Sequence, residues 1–454
     1  MPPTNEPPNV LFILVDDLGW SDTGFMGSRG YETPHVDRLA REGMVLTSCY
    51  SGGPVCSPTR ASILTGKSTA RTGITTYLIT PSQDATYVTH ELPLAEFTLA
   101  EAFKKHGFST GLFGKWHLGY DLPHWAVHQG FDVAIGGTTS KNAWRLAYPE
   151  RKPPIDQLEV RYFSPHFLTH MKDGPEGEYL TDRLVNETIH FVKNQGEKPF
   201  FAFLSFHTVH TPLEAKPEMI ARYAEKFRQA GLDGKNDSKN GSRVLQNVPA
   251  YAAMVAHMDE NVGRLLEAID AAGLRDNTIV VFTSDNGGKG SVTSNAPLRG
   301  AKHELYEGGI RVPTIIRYPP KIPAGTRSDA PLISDDFYPT LLDLAGLPPE
   351  TTLHVDGRSF RELVLGQSTA SPHEALFWHY PHRRMEAAVR WNNFKMIYEY
   401  RTGVTELYDL SIDIGEHNDL ATTKPEIVTE MKRMLRQWLQ ETRAKFPDEQ
   451  LVMP

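Results

Sequence analysis

The chain has 454 residues, 40% of them hydrophobic and 22% charged, with a formal net charge of −8. This is ordinary globular composition, long enough for two or three domains of roughly 150 residues each. The acidic balance excludes a broad basic surface for nucleic acid, no apolar run is long enough to span a membrane, and two cysteines, Cys49 and Cys56, exclude a disulfide framework.

Met1 to Pro8 is polar and Pro-rich and lacks the apolar segment of a signal peptide. Asn9 to Val15 is a continuous apolar run, as expected for a strand buried on both faces of a sheet. It ends in Asp16-Asp17-Leu18-Gly19. Two adjacent carboxylates beyond a buried strand repel each other unless a cation lies between them; a turn with a capping aspartate is the alternative. Open α/β sheets bind ligands at the carboxyl ends of their strands. Thr33-Pro34 starts a helix that stops near Gly43, and Met44 to Tyr50 reads as a second strand leading into Cys56.

In the stretch from Cys56 to Gly66, Ser57 reads as a helix N-cap and Pro58 as a first-turn proline. Ile63 and Leu64 offer an apolar face and Gly66 a stop. The cysteine then sits where a helix begins, beside free N–H groups and the positive dipole end. That is a place for an anion or a low-pKa nucleophile. Arg60, about one turn along, can fold back toward it. A buried free cysteine beside a cap is the plainer alternative. The Cys-x3-Arg spacing argues against a thiolate phosphatase, whose loop is Cys-x5-Arg.

Arg71 to Leu92 reads as a surface loop and Glu96 to His106 as an amphipathic helix. Phe108 to Phe113 is the next strand, ending in Gly114-Lys115-Trp116-His117-Leu118-Gly119. In extended geometry Lys115 and His117 share a face and combine a fixed charge with a proton carrier; a solvated lysine and a satisfied histidine are the alternative. Thr138 to Pro175 is long, Pro-rich and aperiodic, as in a binding wall, a lid or a poorly ordered loop. Glu178 to Gln195 reads as a helix. Pro199 to Phe206 is a third buried strand, followed by His207 and His210-Thr211-Pro212. The hydrophilic stretch from Arg222 to Arg243 reads as a mobile insertion, and Ala250 to Ala272 as a long helix. Thr278 to Phe282 is a fourth buried strand, followed by Asp285-Asn286-Gly287-Gly288, which also fits a simple turn. Asp16, Asp17, Asp285 and Asn286 are hard oxygen donors that suit Ca²⁺ or Mg²⁺.

Asp335 to Leu344 is a helix, and Pro348-Pro349 marks a boundary between residues 1–350 and 351–454. Beyond it, Ala375–Tyr380, Glu386–Trp391, Phe394–Tyr400 and Glu406–Asp409 are short strands spaced for antiparallel pairing. Lys424 to Phe446 is a closing amphipathic helix. Alternating strands and helices imply an α/β architecture with a mostly parallel sheet.

The eleven residues from Cys56 to Gly66 resemble the signature of the type I, formylglycine-dependent sulfatases. Gly-Lys-Trp-His-Leu-Gly at 114–119, His210 before Thr-Pro, the segment from Leu298 to Pro313 and Leu407-Tyr408-Asp409-Leu410 extend the likeness over nearly the whole chain. The resemblance implies an alkaline-phosphatase-like fold, a mostly parallel sheet sandwiched by helices, with a smaller C-terminal α+β domain carrying a short antiparallel sheet. It implies that a maturation enzyme oxidises Cys56 to formylglycine (3-oxoalanine). It implies Ca²⁺, ahead of Mg²⁺, held by Asp16, Asp17, Asp285 and Asn286. Lys115 and Lys302 would hold the sulfate oxygens, and Arg60 would orient the hydrated aldehyde. His210, with Lys302, would protonate the departing alcohol, and His117 would take up a proton as sulfate leaves. Related sulfatases are commonly exported, so the expectation is a periplasmic or secreted protein whose signal is missing from this chain.

The expected partner is a sulfated small molecule or glycan, with an exo-acting carbohydrate sulfatase preferred. Where many relatives have a small residue, this chain has His303. His303, His379, His382 and Arg383, with Arg145 and His166, are candidates for substrate recognition; ordinary solvated loop charges are the alternative. A formylglycine-dependent phosphodiesterase or phosphonate monoester hydrolase, a broad arylsulfatase and a non-enzymatic glycan-binding relative are the rival readings.

Overall fold

The run Asn9–Val15 forms strand β1, with every residue buried. In the computed structural model, which describes residues 7–78, 86–137, 161–166, 168, 170–235, 238–239 and 242–454, β1 lies inside a nine-stranded sheet. The other strands are β2 (Met44–Tyr50), β3 (Ser109–Lys115), β4 (Val133–Gly137), β5 (Phe200–Ser205), β6 (Thr278–Ser284), β7 (Arg311–Arg317), β8 (Thr326–Ser328) and β9 (Leu332–Ile333). Their order is β8-β2-β7-β6-β1-β5-β3-β4, with β9 beside β2. Of these strands, β7 alone runs against its neighbours, β2 and β6. The carboxyl ends of β1, β2, β3, β5 and β6 therefore share one edge. Leu14 is level with Ser205, Val15 with Ser284, and Gly114 with Ser205. Whatever follows these strands is brought together there, as in other open α/β sheets.

Period-two alternation explains why the strands are apolar throughout. Leu11, Ile13 and Val15 enter the core on one face, and Val10, Phe12 and Leu14 the core on the other. The first face is covered by α1 (Pro34–Glu42), α4 (Leu180–Lys193), α5 (Pro217–Gln229) and α6 (Pro249–Ala271). The second is covered by α2 (Cys56–Thr65), α3 (Leu99–Lys105) and α7 (Phe337–Leu344).

The C-terminal part is a four-stranded antiparallel sheet in chain order: β10 (Ala375–Tyr380), β11 (Glu386–Trp391), β12 (Phe394–Glu399) and β13 (Thr405–Asp409). One face, with Ala387, Val389 and Met396, packs on Met431, Leu435 and Leu439 of α8 (Pro425–Glu441). The other, with Trp378, Tyr380, Ala388 and Ile397, packs on Tyr50, Val55, Leu305 and Ile310. The Trp378 indole N–H donates to Ser51 O at 2.8 Å and fixes this sheet to the segment before Cys56.

Several elements differ from the sequence reading. The expected insertion at 222–243 opens inside α5, because Met219, Tyr223 and Phe227 recur every fourth residue and are buried. Strands β4, β7, β8 and β9 were not anticipated; β7 contains Pro313, and β8 and β9 are very short. Helix α3 starts at Leu99, where Thr98 and Glu101 form a reciprocal capping box. Residues 138–160, including Arg145, lie outside the described residues.

Candidate active site

Helix α2 begins at Cys56 itself, with Val55 as an extended N-cap residue. Ser57 is not the cap. Its hydroxyl donates to His117 O at 2.8 Å and accepts from Leu78 N–H at 3.1 Å, tying the helix start to the loop beyond β3. Cys56 is 2% exposed. Its Sγ lies 3.3 Å from Asp16 Oδ1, 4.0 Å from Asp17 Oδ1 and 3.5 Å from Lys302 Nζ.

The two aspartates would point to opposite faces if β1 simply continued. Asp17 instead has a left-handed φ of +63°, and both carboxylates reach Cys56. Lys115 Nζ donates to Asp16 Oδ2 at 2.5 Å, and Lys302 Nζ lies 2.6 Å from Asp17 Oδ1. Arg60, 1% exposed, gives Nε and Nη2 to Asp285 Oδ2 at 3.0 and 2.7 Å. Its Nη1 donates to Lys115 O at 3.0 Å and to Ser205 Oγ at 2.5 Å. Asn286 Nδ2 donates to Asp17 Oδ1 at 2.8 Å. His210 Nε2 is 3.7 Å from Asp17 Oδ2, and its side chain is 34% exposed. His117 has Nε2 3.1 Å from Leu78 O, while Nδ1 is buried without a hydrogen-bond partner among the described residues. Cys56, Arg60, Lys115, His210, Lys302, Asp16, Asp17, Asp285 and Asn286 thus form one network.

The electrostatics follow from burial and neighbours. Burial raises Asp16, but Lys115, His210, Arg60 and Lys302 together hold its carboxyl well below the usual range. Burial likewise opposes Lys302 and His210 at Asp17, which is also held low. The Cys56 thiol is pushed up to about 12, by burial and then by Asp16, against the pull of Lys115 and Lys302. The sequence suggested a low-pKa nucleophile; burial instead raises the thiol, which donates to Asp16 Oδ1. Burial and then Lys115 push His117 and His207 well below the ordinary histidine value.

Three carboxylates, those of Asp16, Asp17 and Asp285, face three cations, Arg60, Lys115 and Lys302. The cluster is balanced before an anionic ester arrives, so binding one favours an added cation. Ligand atoms of Asp16, Asp17, Cys56 and His210 lie within 4.8 Å of one another. Asn286 Oδ1 is buried with no hydrogen bond among the described residues. These oxygen donors fit Ca²⁺ or Mg²⁺. The four-residue group shares Asp16 and Asp17 with the expected ligands; Asp285 lies outside it, its Oδ2 accepting twice from Arg60.

At the rim, His303 has a φ of +80° and Nδ1 3.5 Å from Tyr380 Oη, with its ring 5.9 Å from that of Tyr77. His382 Nε2 is 2.9 Å from Thr75 Oγ1, and its ring stacks on Tyr87 at 5.4 Å. His379 does not join them. It is 3% exposed, with Nδ1 on Tyr400 Oη at 2.7 Å and Nε2 on Lys445 O at 2.9 Å, so no ring nitrogen is left for a substrate. Alternation in β10 sends Trp378 and Tyr380 toward the large sheet and Phe377 and His379 toward α8. His166 is also interior, at 0% exposure, with Nδ1 on Arg161 O at 3.0 Å. Sequence reasoning missed Thr75, Tyr77, Tyr380 and Lys289, which sit in loops or at a strand end without a periodic signal.

A polar cluster around a helix-start side chain lies at the carboxyl edge of a mostly parallel sheet, where open α/β sheets bind their ligands. A model of the sulfatase family matches residues 8–347, and a model of the C-terminal region of N-sulphoglucosamine sulphohydrolase matches residues 301–445. The chain belongs to the sulfatase family and is a hydrolase of sulfate esters. A sulfatase of Formosa agariphila is 30% identical over 96% of this chain and 89% of that protein. The N-acetylgalactosamine-6-sulfatase of Homo sapiens is 30% identical over 88% of this chain and 75% of that protein. Among solved structures, Ps i-CgsB in complex with k-i-k-neocarrahexaose matches with a TM-score of 0.79 at 29% identity, covering 98% of this chain and 95% of that one.

Proposed function

We propose that the protein is an exo-acting carbohydrate sulfatase whose nucleophile is formylglycine, made from Cys56 by a maturation enzyme. The observation that carries this reading is the position of Cys56. It is buried at the first residue of α2, touched by Asp16 and Lys302, and backed by Arg60 and Lys115. A thiol held protonated is a poor nucleophile. After conversion, position 56 would supply two geminal hydroxyls, one to attack sulfur and one whose deprotonation releases sulfate.

The remaining chemistry belongs to the chain's own residues. Lys115 and Lys302 hold the sulfate oxygens and offset their charge. Arg60, anchored by Asp285, orients the side chain at position 56. His210, on the open side, protonates the departing sugar oxygen with Lys302 beside it. His117, held below the ordinary histidine value by burial and then Lys115, takes up a proton at Nδ1, which has no hydrogen-bond partner among the described residues. Asp16, Asp17, Asp285 and Asn286 would hold Ca²⁺, which supplies positive charge against the sulfate when bound.

The carbohydrate reading is supported by the polar and aromatic rim of Tyr77, His303, Tyr380 and His382, and by the relative bound to a neocarrahexaose. The depth of Cys56 favours a chain end over an internal unit. We place the boundary of the catalytic part at residue 350, before the segment leading to the small sheet.

The test has two stages. The mass of the peptide containing Cys56 is measured on protein made with an active maturation system. Sulfate release from chain-end and internal positions of sulfated oligosaccharides is then compared. Formylglycine and chain-end release support the reading. Normal turnover by protein with an unmodified cysteine refutes the nucleophile, and faster internal release refutes exo action. A phosphonate monoester or phosphodiester cleaved faster than every sulfate ester would favour the phosphoryl-transfer alternative.

A further inference from the structure

The hairpin between β10 and β11 presents three consecutive basic residues in different settings. Tyr380 is level with Glu386 across the hairpin. Met385 N–H donates to His382 O at 2.9 Å, and Arg383 turns the chain with a φ of +52°. His382 is held by Thr75 and Tyr87. Arg384 gives its guanidinium to Glu386, Glu304 and Tyr306. Arg383, between them, is exposed, and its guanidinium forms no ion pair among the described residues; only its carbonyl is engaged, by Arg401.

Lys289 approaches from another loop. Lys302 N–H donates to Gly288 O at 3.1 Å, which holds the Lys289 loop beside the Lys302 segment. Lys289 Nζ reaches Thr211 Oγ1 at 3.1 Å, next to His210, and forms no ion pair among the described residues. Tyr380, at the start of the Arg383 hairpin, has Oη 3.5 Å from Nδ1 of His303, the residue after Lys302, so the hairpin and the Lys289 loop flank one segment. Lys302 is paired with Asp17; Arg383 and Lys289 form no ion pair among the described residues. Two cations without an ion pair among the described residues, on loops flanking the His303 segment of a chain with net charge −8, make a local field for an anion. In the reading above the sulfate at position 56 has Lys115 and Lys302 as its partners, so this field addresses something else on the substrate.

We propose that Arg383 and Lys289 bind a second anionic group of the substrate. The preferred substrate is then a polyanionic saccharide that carries, besides the sulfate removed at position 56, a further sulfate or a carboxylate. This inference rests on the carbohydrate reading above. The planar fork of Arg383 suits either oxyanion in two-point contact, and Lys289 acts as a point charge.

The test uses converted, metal-loaded enzyme hydrolysing 4-nitrophenyl sulfate. Competing ligands are N-acetylglucosamine 6-sulfate, glucosamine 2-N,6-O-disulfate and a 6-sulfated disaccharide containing a uronic acid. Wild type, Arg383→Ala, Arg383→Lys and Lys289→Ala are compared, with thermal midpoints recorded to confirm folding. The dianionic sugars are expected to compete tenfold or more better than the monosulfated one in wild type, less so with added salt. Arg383→Ala should weaken them about tenfold while weakening the monosulfated sugar and the aryl sulfate less than threefold; Arg383→Lys should recover part of the loss. Whichever arm, disulfate or uronate, shows the larger advantage identifies the anion. Equal losses for mono- and dianions, or no dianion advantage in wild type, overturn the proposal and leave the carbohydrate reading standing. If no saccharide competes while the aryl sulfate is hydrolysed, the carbohydrate reading fails and this inference with it.

Discussion

Replacing Lys395 by methionine tests how the small sheet holds the segment that carries Lys302. Lys395 is 0% exposed on β12, with Nζ 2.9 Å from both Glu307 Oε1 and Glu416 Oε1. Glu307 also receives Tyr50 Oη at 2.8 Å and Arg311 Nη1 at 3.0 Å, and Glu416 Oε2 accepts from Glu307 N–H at 2.8 Å. Each ion contact is worth about 6 kcal/mol of attraction at an effective dielectric of about 20, and desolvation offsets much of it. Removing one partner and leaving the others buried should cost about 3–5 kcal/mol. Burial already pushes the Glu416 carboxyl up to about 7, against the pull of Lys395. Without the lysine it rises further above the ordinary value of about 4.3. An acid with a raised folded pKa contributes stability that is full at low pH and is lost as pH climbs through that pKa. Urea unfolding of Lys395→Met should therefore show a larger loss at pH 8 than at pH 5. Lys395→Met/Glu416→Gln, which removes the stranded charge and keeps an acceptor for Glu307 N–H, should recover at least half. A loss below about 1 kcal/mol at pH 8, or the same loss at both pH values, would refute the reasoning.

Cys56→Ala should abolish sulfate release from every substrate; normal catalysis by that variant ends the nucleophile assignment. Asp16→Ala and Asp285→Ala should each lower bound calcium, measured by plasma mass spectrometry after dialysis, and full occupancy in both would remove these residues from the ligand set. Asp259 caps α1 by accepting from His35 and Val36 N–H at 3.1 and 2.8 Å, and burial pushes its carboxyl up to about 7. Its contribution is full below about pH 4 and falls by up to about 4 kcal/mol as pH rises to 7. Asp259→Asn cannot ionise, so its stability relative to wild type should rise by about 2 kcal/mol from pH 5 to pH 7.5. A gap that does not change with pH contradicts the raised pKa.

The strands that build the site were readable because each is buried on both faces, and only an uninterrupted apolar run satisfies that. The functional residues were readable because they break those runs abruptly: Asp16-Asp17 after β1, Lys115 closing β3, Asp285-Asn286 after β6. Helix α5 was hidden because its apolar side is only Met219, Tyr223 and Phe227 in a charged stretch. Strands β8 and β9 were too short for any period, and β7 carried a proline.

By itself, then, the sequence determined the α/β class, the small antiparallel sheet and the residue types gathered at the carboxyl edge, all of which follow from local periodicity and motif spacing. Only the tertiary structure decided which charge meets which. Lys302 reaches Asp17 across 285 positions, and Arg60 reaches Asp285 across 225. It also decided that Ser57 braces the His117 loop instead of capping α2, that His379 is interior while His382 is at the rim, and that Arg383 and Lys289 are left unpaired among the described residues. Strand register and chain crossing set these pairings. Neither is encoded in a run of neighbours, because the energies that fix them arise only when distant segments exclude water together.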